Sequence, residues 1–372
     1  MRRHDLDWLR VLVFALLILY HVGMFFVPWG WHIKNNTEYG WLRYPMLFLN
    51  QWRLPILFVI SGMGTYYALS KRNAWQFAKE RILRLYLPLA FGMLVIVPPQ
   101  VYIERLAKQQ FTGPYLEFWP LKAFMGIYPE GNISWHHLWF LPYLLLFSLL
   151  LIPAFVYLRK HPDNPFLKWI NKQVSKPMNI YVFIIPIYFA ESLLEPFFPV
   201  NHALIGDWFA FVFFLLLFFY GFLLISVQNS FWETVQKNRK KYLVSGILGF
   251  TVLLSIKVLL QDSIIVHFSE ALVMVFNLWS WLLTLFGYAA QYLNKPSKLL
   301  AYCNEAVYPF YILHQTVTIV LAYYIMNKTW GLLPKATILI LGTFIISWLI
   351  YEFLIRRWKW IRPLFGLKKP KA

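Results

Sequence analysis

The chain is 372 residues long, with 59% of them hydrophobic and only 14% charged, whereas soluble domains carry about 25% charged residues. Apolar runs of nearly membrane-spanning length recur along almost the whole chain and leave no stretch for a soluble domain of ~100 residues. The net charge of +19 does not by itself indicate nucleic-acid binding, because basic residues of membrane proteins collect on one side of the bilayer. We therefore predict an all-α, polytopic integral membrane protein, with residues 1–372 in a single domain.

The apolar runs predict a bundle of about ten transmembrane helices. In chain order, their approximate spans are 8–27, 54–70, 85–104, 137–158, 180–195, 207–227, 242–260, 269–291, 305–327 and 336–355. The span 180–195 is the shortest, and it is short for a hydrocarbon core about 30 Å thick. An interfacial or tilted helix is the alternative for this segment.

The distribution of lysine and arginine predicts the orientation of the bundle. Of the 35 such residues, 26 fall at the chain ends and in alternate loops, 8 fall in the other loops, and Lys257 lies within a helix. Because basic loops stay in the cytoplasm, we predict that both termini are cytoplasmic, with a basic tail at 356–372, in the plasma (inner) membrane. The basic residues then contact anionic membrane lipid, and nucleic acid is excluded as a partner.

Arg10 and His21 bracket an apolar run in the first predicted helix. Eleven helical residues make three full turns plus about 20° and rise about 16 Å, so the two side chains share a face. An ionisable residue inside a span indicates function, although a hydrogen bond to a neighbouring carbonyl is the alternative for His21. Ser61, in the second span, is predicted at nearly the same depth and is a candidate for the same catalytic site. Close helix packing through small residues is the alternative for Ser61.

Arg81 and Arg84 lie three residues apart at a predicted cytoplasmic boundary. That spacing places both on one helical face, and arginine pairs bind phosphates through bidentate, charge-assisted hydrogen bonds. Lipid headgroups are the ordinary partners of interfacial arginines. Arg10, a third arginine near the same boundary, favours a phosphate-rich ligand.

Two further histidine motifs occur: His136 and His137 at the start of a predicted helix, and His314 within another. The adjacent His136 and His137 point about 100° apart on a helix and make a poor metal-binding pair, so we predict no metal. The lone Cys303 excludes a disulfide or a thiolate metal cluster within one chain. His314 lies near the predicted membrane midplane with Tyr311 one turn below it. These two residues either satisfy each other structurally or act in a shared function.

Several motifs occur together in a fixed order: LDWLR, the Arg10–His21 pair, WHIKN with His32, LFVISG, RILR, HLWFL and YILH. In this order and spacing, the sequence resembles the membrane-bound acyltransferase family 3, and within it the branch that modifies periplasmic glucans. The resemblance covers the first ~145 residues and the ninth predicted helix, and it is thin between 160 and 300.

The resemblance implies an enzyme that takes an acyl group, acetyl or succinyl, from cytoplasmic acyl-coenzyme A (acyl-CoA). The acceptor is a hydroxyl of an extracytoplasmic glycan or glycolipid. By this resemblance Arg10, Arg81 and Arg84 hold the coenzyme A phosphates, and His21 acts in transfer. An imidazole suits the role of general base for a hydroxyl.

Further roles follow for residues around these motifs. Ser61 and His314 are the other catalytic candidates, and a covalent acyl intermediate on His21 or Ser61 is an alternative to direct transfer. The acceptor is expected in the outer loops 28–53 and 105–136. The candidate acceptor-binding residues are His32, His137, Trp139 and Tyr311.

Two other functions remain open at this level. A transporter or flippase of a glycan or acyl species would also place polar residues near the midplane of a helix bundle, but it would carry out no acyl transfer. A non-catalytic scaffold would use Arg10 and His21 for stability alone. The oligomeric state is not indicated by the sequence.

Overall fold

We describe residues 3–368 of a computed structural model of the chain. The structure is 76% helical, and within these residues there is no β-strand, only an isolated bridge between Ile127 and Ile133. The predicted all-α class is therefore confirmed. Arg2 and the end of the predicted basic tail, 369–372, lie outside the described residues.

Fifteen α-helices form the described part of the chain, several of them continued by 3₁₀ or π turns. In order they are α1 His4–Met24, α2 Arg43–Leu69, α3 Ala74–Arg81, α4 Leu87–Phe91, α5 Pro98–Ala107, α6 Tyr115–Phe118, α7 Phe140–Leu150, α8 Ile152–Lys160, α9 Pro165–Val174, α10 Ile184–Leu194, α11 Trp208–Ser226, α12 Gln228–Leu259, α13 Ile264–Tyr292, α14 Lys298–Ile325 and α15 Leu332–Ile350.

Eight helical segments between residues 3 and 368 are long and apolar enough to cross a membrane. They are His4–Met24, Gly40–Leu69, Ala74–Ala107, Trp208–Ser226, Gln228–Leu259, Ile264–Tyr292, Lys298–Ile325 and Leu332–Ile355. A ninth is the pair His136–Leu150 and Ile152–Lys160, which bends by 49°. The predicted span 180–195, the shortest of the ten, corresponds to the shorter apolar segment Asn179–Leu194, whose length gives only about 24 Å of α-helix.

Several helices begin well before their predicted spans; α2, for example, begins at Arg43 instead of residue 54, so part of the predicted outer loop 28–53 is helical. Helix α12 begins at Gln228 and includes the basic run 237–241, which the sequence analysis places in a loop; lysine and arginine are good helix formers, so a charged run need not end a helix. The segment Ala74–Ala107 contains two π turns, Ile82–Tyr86 and Gly92–Ile96.

The described chain divides into two compact units. The first contains residues up to Arg10, Asn50–Lys79 and Tyr143–Leu300. Its interior is aromatic: the Phe155 and Phe222 rings stack with centroids 3.9 Å apart. Helices α2 and α11 approach each other closely, because a Cβ on Gly62 would lie 1.9 Å from the backbone oxygen of Phe218. Only glycine permits such an approach.

The second unit contains Val11–Leu49, Glu80–Pro142 and the chain from Ala301 onward. An apolar core joins the end of α1 to α5, α14 and α15, and its buried residues are Val22, Phe25, Phe26, Ile33, Ile103, Ile319, Ala322, Ile325 and Leu339. Burial of these side chains fixes the three helices α1, α5 and α14 against one another. Each of these helices contributes polar side chains to the site described next.

Candidate active site

Two histidines meet inside the second unit, one from α1 and one from α14. Nδ1 of His21 lies 2.8 Å from Nε2 of His314, and the two imidazole rings stack with centroids 5.0 Å apart. His314 is fully buried, whereas His21 keeps partial exposure. We call these residues the histidine pair. The structure thus brings together two of the three residues predicted to act in catalysis.

The backbone of α14 determines which ring nitrogens carry hydrogen. Nδ1 of His314 lies 2.7 Å from the carbonyl oxygen of Tyr311, and a carbonyl only accepts hydrogen bonds, so this nitrogen is protonated. In the neutral ring Nε2 is then an acceptor, and Nδ1 of His21 donates to it. The neutral pair therefore places the basic lone pair on Nε2 of His21, as a general base requires.

His137 and Tyr311 pack around the histidine pair through their own hydrogen bonds. Nε2 of His137 donates to the carbonyl of Ile312 at 3.0 Å, and the hydroxyl of Tyr311 donates to the backbone oxygen of His137 at 2.7 Å. The rings of His137 and His314 meet edge to face, with centroids 5.1 Å apart. His314 therefore contacts Tyr311 through the backbone carbonyl of that residue, while the phenol hydroxyl binds elsewhere.

A second group of polar side chains, the Glu104 cluster, is formed by His32, Glu104, Lys108 and Tyr128. The Glu104 side chain is only 1% exposed, and it accepts hydrogen bonds from His32 Nδ1 at 2.6 Å, Lys108 Nζ at 2.6 Å and the Tyr128 hydroxyl at 3.0 Å. A buried carboxylate needs partners of this kind. Burial raises the pKa of Tyr128 above its ordinary value, and the Glu104 carboxylate raises it further, so the phenol remains a donor.

His136 lies beside this cluster and raises the question of a metal. Its backbone is left-handed, with φ +41°, and its buried Nε2 has no hydrogen-bond partner among the described residues. The ligand atoms of His32, Glu104 and His136 lie within 4.8 Å of one another, as a metal site would require. However, the Gln315 amide nitrogen lies 3.1 Å from His32 Nε2 and donates to it, which leaves the hydrogen on Nδ1.

A ring nitrogen that carries hydrogen is not a metal ligand. In this arrangement Nδ1 of His32 serves Glu104 as a donor, and the ammonium of Lys108 already neutralises that carboxylate. His32 and Glu104 are therefore joined by hydrogen bonds and do not present a set of metal ligands. The absence of a metal requirement stays a prediction.

The three arginines predicted to hold phosphates lie on helical segments. Arg10 lies on α1, with its guanidinium 3.3 Å from the carboxylate of Asp7. Arg81 is the last residue of α3, and Arg84 belongs to the π turn that follows. A π turn winds more residues per turn than an α-helix, so Arg84 is offset from the face that its spacing from Arg81 predicts. The Arg84 side chain is half-exposed.

Ser61 and Trp139 have local surroundings that the sequence analysis does not specify. The hydroxyl of Ser61 donates to the carbonyl of Leu57, one turn back on α2, at 2.7 Å. Its neighbour Gly62 forms the close helix contact described above, as the packing alternative for this segment predicts. Trp139 is buried at the end of the 3₁₀ turn His136–Trp139.

A cleft of about 450 Å³ opens among the residues that follow α5. Aromatic and polar side chains line it together, among them Phe111, Phe118, Lys122, Glu130 and Asn132. The Lys122 ammonium lies 4.6 Å from the centre of the Phe111 ring. Aromatic faces beside carboxylate and amide groups are a lining that suits a hydroxyl-rich ligand.

The residues of this region that sequence reasoning does not single out include three buried ones, Gln100, Glu104 and Gln315. Glu104 offers one signal, since an acidic residue near the end of an apolar run indicates a paired or functional group. The two glutamines offer none, because neutral amides occur on helices in every kind of surrounding.

A known protein family matches most of the chain. An acyltransferase domain family, acyltransferase 3, matches residues 3–352. The chain belongs to the acyltransferase-3 family. It is therefore a multi-pass membrane acyltransferase that transfers groups other than aminoacyl groups.

Two relatives illustrate the likeness. The glucans biosynthesis protein C of Salmonella heidelberg (strain SL476) is 22% identical over 334 residues, which cover 87% of this chain and 84% of the relative. The protein of the same name from Salmonella paratyphi B (strain ATCC BAA-1250 / SPB7) is 22% identical over 343 residues, with the same coverage. No solved structure matches the chain.

Proposed function

We propose that this acyltransferase moves an acetyl or succinyl group from acyl-CoA to a hydroxyl of an extracytoplasmic glycan, with His21 as general base. The observation that carries the proposal is the hydrogen bond from His21 Nδ1 to His314 Nε2, whose direction leaves Nε2 of His21 unprotonated. The relatives named glucans biosynthesis protein C support a glucan as the acceptor. The proposed site lies in the inner membrane, with both termini cytoplasmic.

The proposed reaction is a direct transfer. Nε2 of His21 takes the proton of the acceptor hydroxyl as its oxygen attacks the thioester carbonyl. The carbon–sulfur bond breaks, and the coenzyme A thiolate takes that proton from His21. While His21 is protonated, its Nδ1–H donates to Nε2 of His314, which stabilises the imidazolium as the third member of a catalytic triad does.

The donor is assigned to the arginines. Arg81 and Arg84 offer guanidinium groups to the coenzyme A phosphates by charge-assisted hydrogen bonds, and Arg10 is proposed for the same role. The half exposure of Arg84 suits a group that meets a ligand arriving from water. No metal is needed for this chemistry.

The acceptor is assigned to His32, to Trp139 and to the cleft lined by Phe111 and Asn132. His32 belongs to the Glu104 cluster, and the cleft presents an aromatic ring beside polar side chains. Both features suit a sugar with several hydroxyl groups. His137 and Tyr311, also predicted to bind the acceptor, use their polar atoms in hydrogen bonds within the protein.

The test uses purified protein in liposomes, radiolabelled acetyl-CoA or succinyl-CoA, and a short glucan as acceptor. We expect label on the glucan with the unmodified protein and a loss of about 10²–10⁴-fold in kcat for His21→Ala. The matched control is His161→Ala, which removes an exposed histidine outside the site and leaves kcat unchanged. Arg81→Ala and Arg84→Ala should each raise the donor KM about five-fold, with little effect on the acceptor KM.

Two results would contradict the proposal. One is full transfer by His21→Ala. The other is movement of glucan or acyl species across the liposome membrane without acyl-CoA and without label transfer, which would identify a transporter.

A further inference from the structure

We propose that Gln100 is a positioning residue for acyl transfer, acting on the histidine pair through His137. Gln100 lies on α5, is fully buried, and uses all of its amide hydrogen-bonding atoms. Its nitrogen donates to Thr316 Oγ1 at 2.7 Å and faces His137 Nδ1 at 3.4 Å. Its oxygen accepts from the Gln315 amide at 3.1 Å. The inference rests on the proposed function and adds to it a residue that touches neither donor nor acceptor.

The direction of these hydrogen bonds is fixed by two backbone carbonyls at the ends of the network. The Thr316 hydroxyl donates its only hydrogen to the carbonyl of Ile96 at 2.7 Å, so its oxygen accepts from Gln100. His137 donates from Nε2 to the carbonyl of Ile312, so in the neutral ring Nδ1 also accepts from Gln100. If the nitrogen and oxygen of the Gln100 amide were exchanged, its oxygen would face two other acceptors, Thr316 Oγ1 and His137 Nδ1, and neither hydrogen bond could form.

The same direction continues toward the Glu104 cluster. With the Gln100 oxygen facing Gln315, the Gln315 amide nitrogen serves two acceptors, Gln100 Oε1 and His32 Nε2. His32 therefore carries its hydrogen on Nδ1 and donates it to Glu104. In this network His137 carries its hydrogen on Nε2, whereas His21, His32 and His314 carry theirs on Nδ1.

This tautomer matters because the His137 and His314 rings meet edge to face, with centroids 5.1 Å apart. While Gln100 donates to Nδ1, His137 stays neutral beside the pair that must take up a proton during transfer. A carboxylate in place of the Gln100 amide has no hydrogen to donate, and it would favour a proton on Nδ1. His137 would then be an imidazolium next to His314, and its charge would oppose protonation of the pair.

The experiment combines two readouts on the full-length protein in detergent micelles. The first is ¹⁵N NMR of histidine-labelled protein, which separates protonated from unprotonated ring nitrogens and needs no substrate. The His137 signals are assigned by their absence from the His137→Asn variant. We expect the hydrogen of His137 on Nε2 in the unmodified protein and on both nitrogens in Gln100→Glu.

The second readout is steady-state transfer. Gln100→Glu should lower kcat at least ten-fold, with both KM values within roughly three-fold, because binding is left intact. The matched control is Gln291→Glu, the same change at an exposed position of α13, which leaves kcat unchanged. The double variant Q100E/H137N should recover kcat at least five-fold over Q100E, because the asparagine amide can donate to the carboxylate without adding a charge.

The outcomes separate this inference from the proposed function. An unmodified protein that shows no transfer contradicts the proposed function, whatever the NMR spectrum shows. With transfer present, hydrogen on Nδ1 of His137 in the unmodified protein would overturn the inference. Unchanged kcat in Gln100→Glu would also overturn it, and so would a double variant no faster than Q100E.

Discussion

The histidine pair and the Glu104 cluster place a histidine in two different electrostatic settings within one unit. In the pair, His21 faces another neutral imidazole, His314, which is held in turn by the backbone of α14. In the cluster, His32 faces the carboxylate of Glu104, whose charge Lys108 already neutralises. Both histidines carry hydrogen on Nδ1, so what distinguishes them is the partner.

The partner decides what each histidine can do. The imidazole of His314 is neutral before the reaction, and it accepts the Nδ1 hydrogen bond when His21 is protonated. The pair can therefore take up a proton and release it again during transfer. The carboxylate of the cluster is buried and already paired with Lys108, which stabilises one fixed arrangement. We therefore assign reaction to the pair and binding or structure to the cluster.

The largest expected difference comes from the same substitution made in both regions. In His314→Asn the amide retains a donor for the α14 carbonyl but loses the acceptor for His21, so kcat should fall about 100-fold. In His32→Asn the amide retains the donor to Glu104, so kcat should fall less than about five-fold. Steady-state kinetics on both purified variants measures the contrast. Equal losses in the two variants would break the distinction between the regions.

A smaller effect is expected on stability from the carboxylate of the cluster. Glu104→Gln keeps an acceptor for His32 but removes the charge that faces Lys108, so the free energy of unfolding should fall by about 1–3 kcal/mol. Thermal unfolding in detergent measures this as a lower Tm. The control is Glu117→Gln at an exposed carboxylate, which leaves Tm unchanged. An unaltered Tm with a large loss of kcat would instead place Glu104 in the reaction.

The sequence predicts most of the helices and the individual residues of the pair. Apolar runs mark the spans because each crosses about 30 Å of hydrocarbon, and His21 and His314 stand out as ionisable residues within such runs. Their hydrogen bond to each other is beyond sequence reasoning, because 293 positions separate them and periodicity relates only residues on one helix. The start of α12 at Gln228 is likewise missed by an apolar-run criterion, because the basic residues 237–241 are polar yet compatible with a helix.

The roles of the buried glutamines also cannot be predicted from the sequence. Gln100 and Gln315 matter through the direction of their hydrogen bonds, and that direction depends on carbonyl groups from other segments. The two arginines differ from the glutamines, because a local rule does exist for them: residues three apart share one face of an α-helix. The backbone at this point is not α-helical, so the rule fails. Arg81 and Arg84 fit an α-helical face by spacing, and the π turn at Ile82–Tyr86 offsets them.

The most direct test of the central claim is a double-mutant cycle on the histidine pair. The value of kcat is measured for His21→Ala, His314→Ala and the variant that carries both changes, with the same donor and acceptor. If the two histidines act as one proton-transfer unit, the double variant should match the slower single variant within about three-fold. Losses that multiply in the double variant would show that the two residues act independently and would contradict the account.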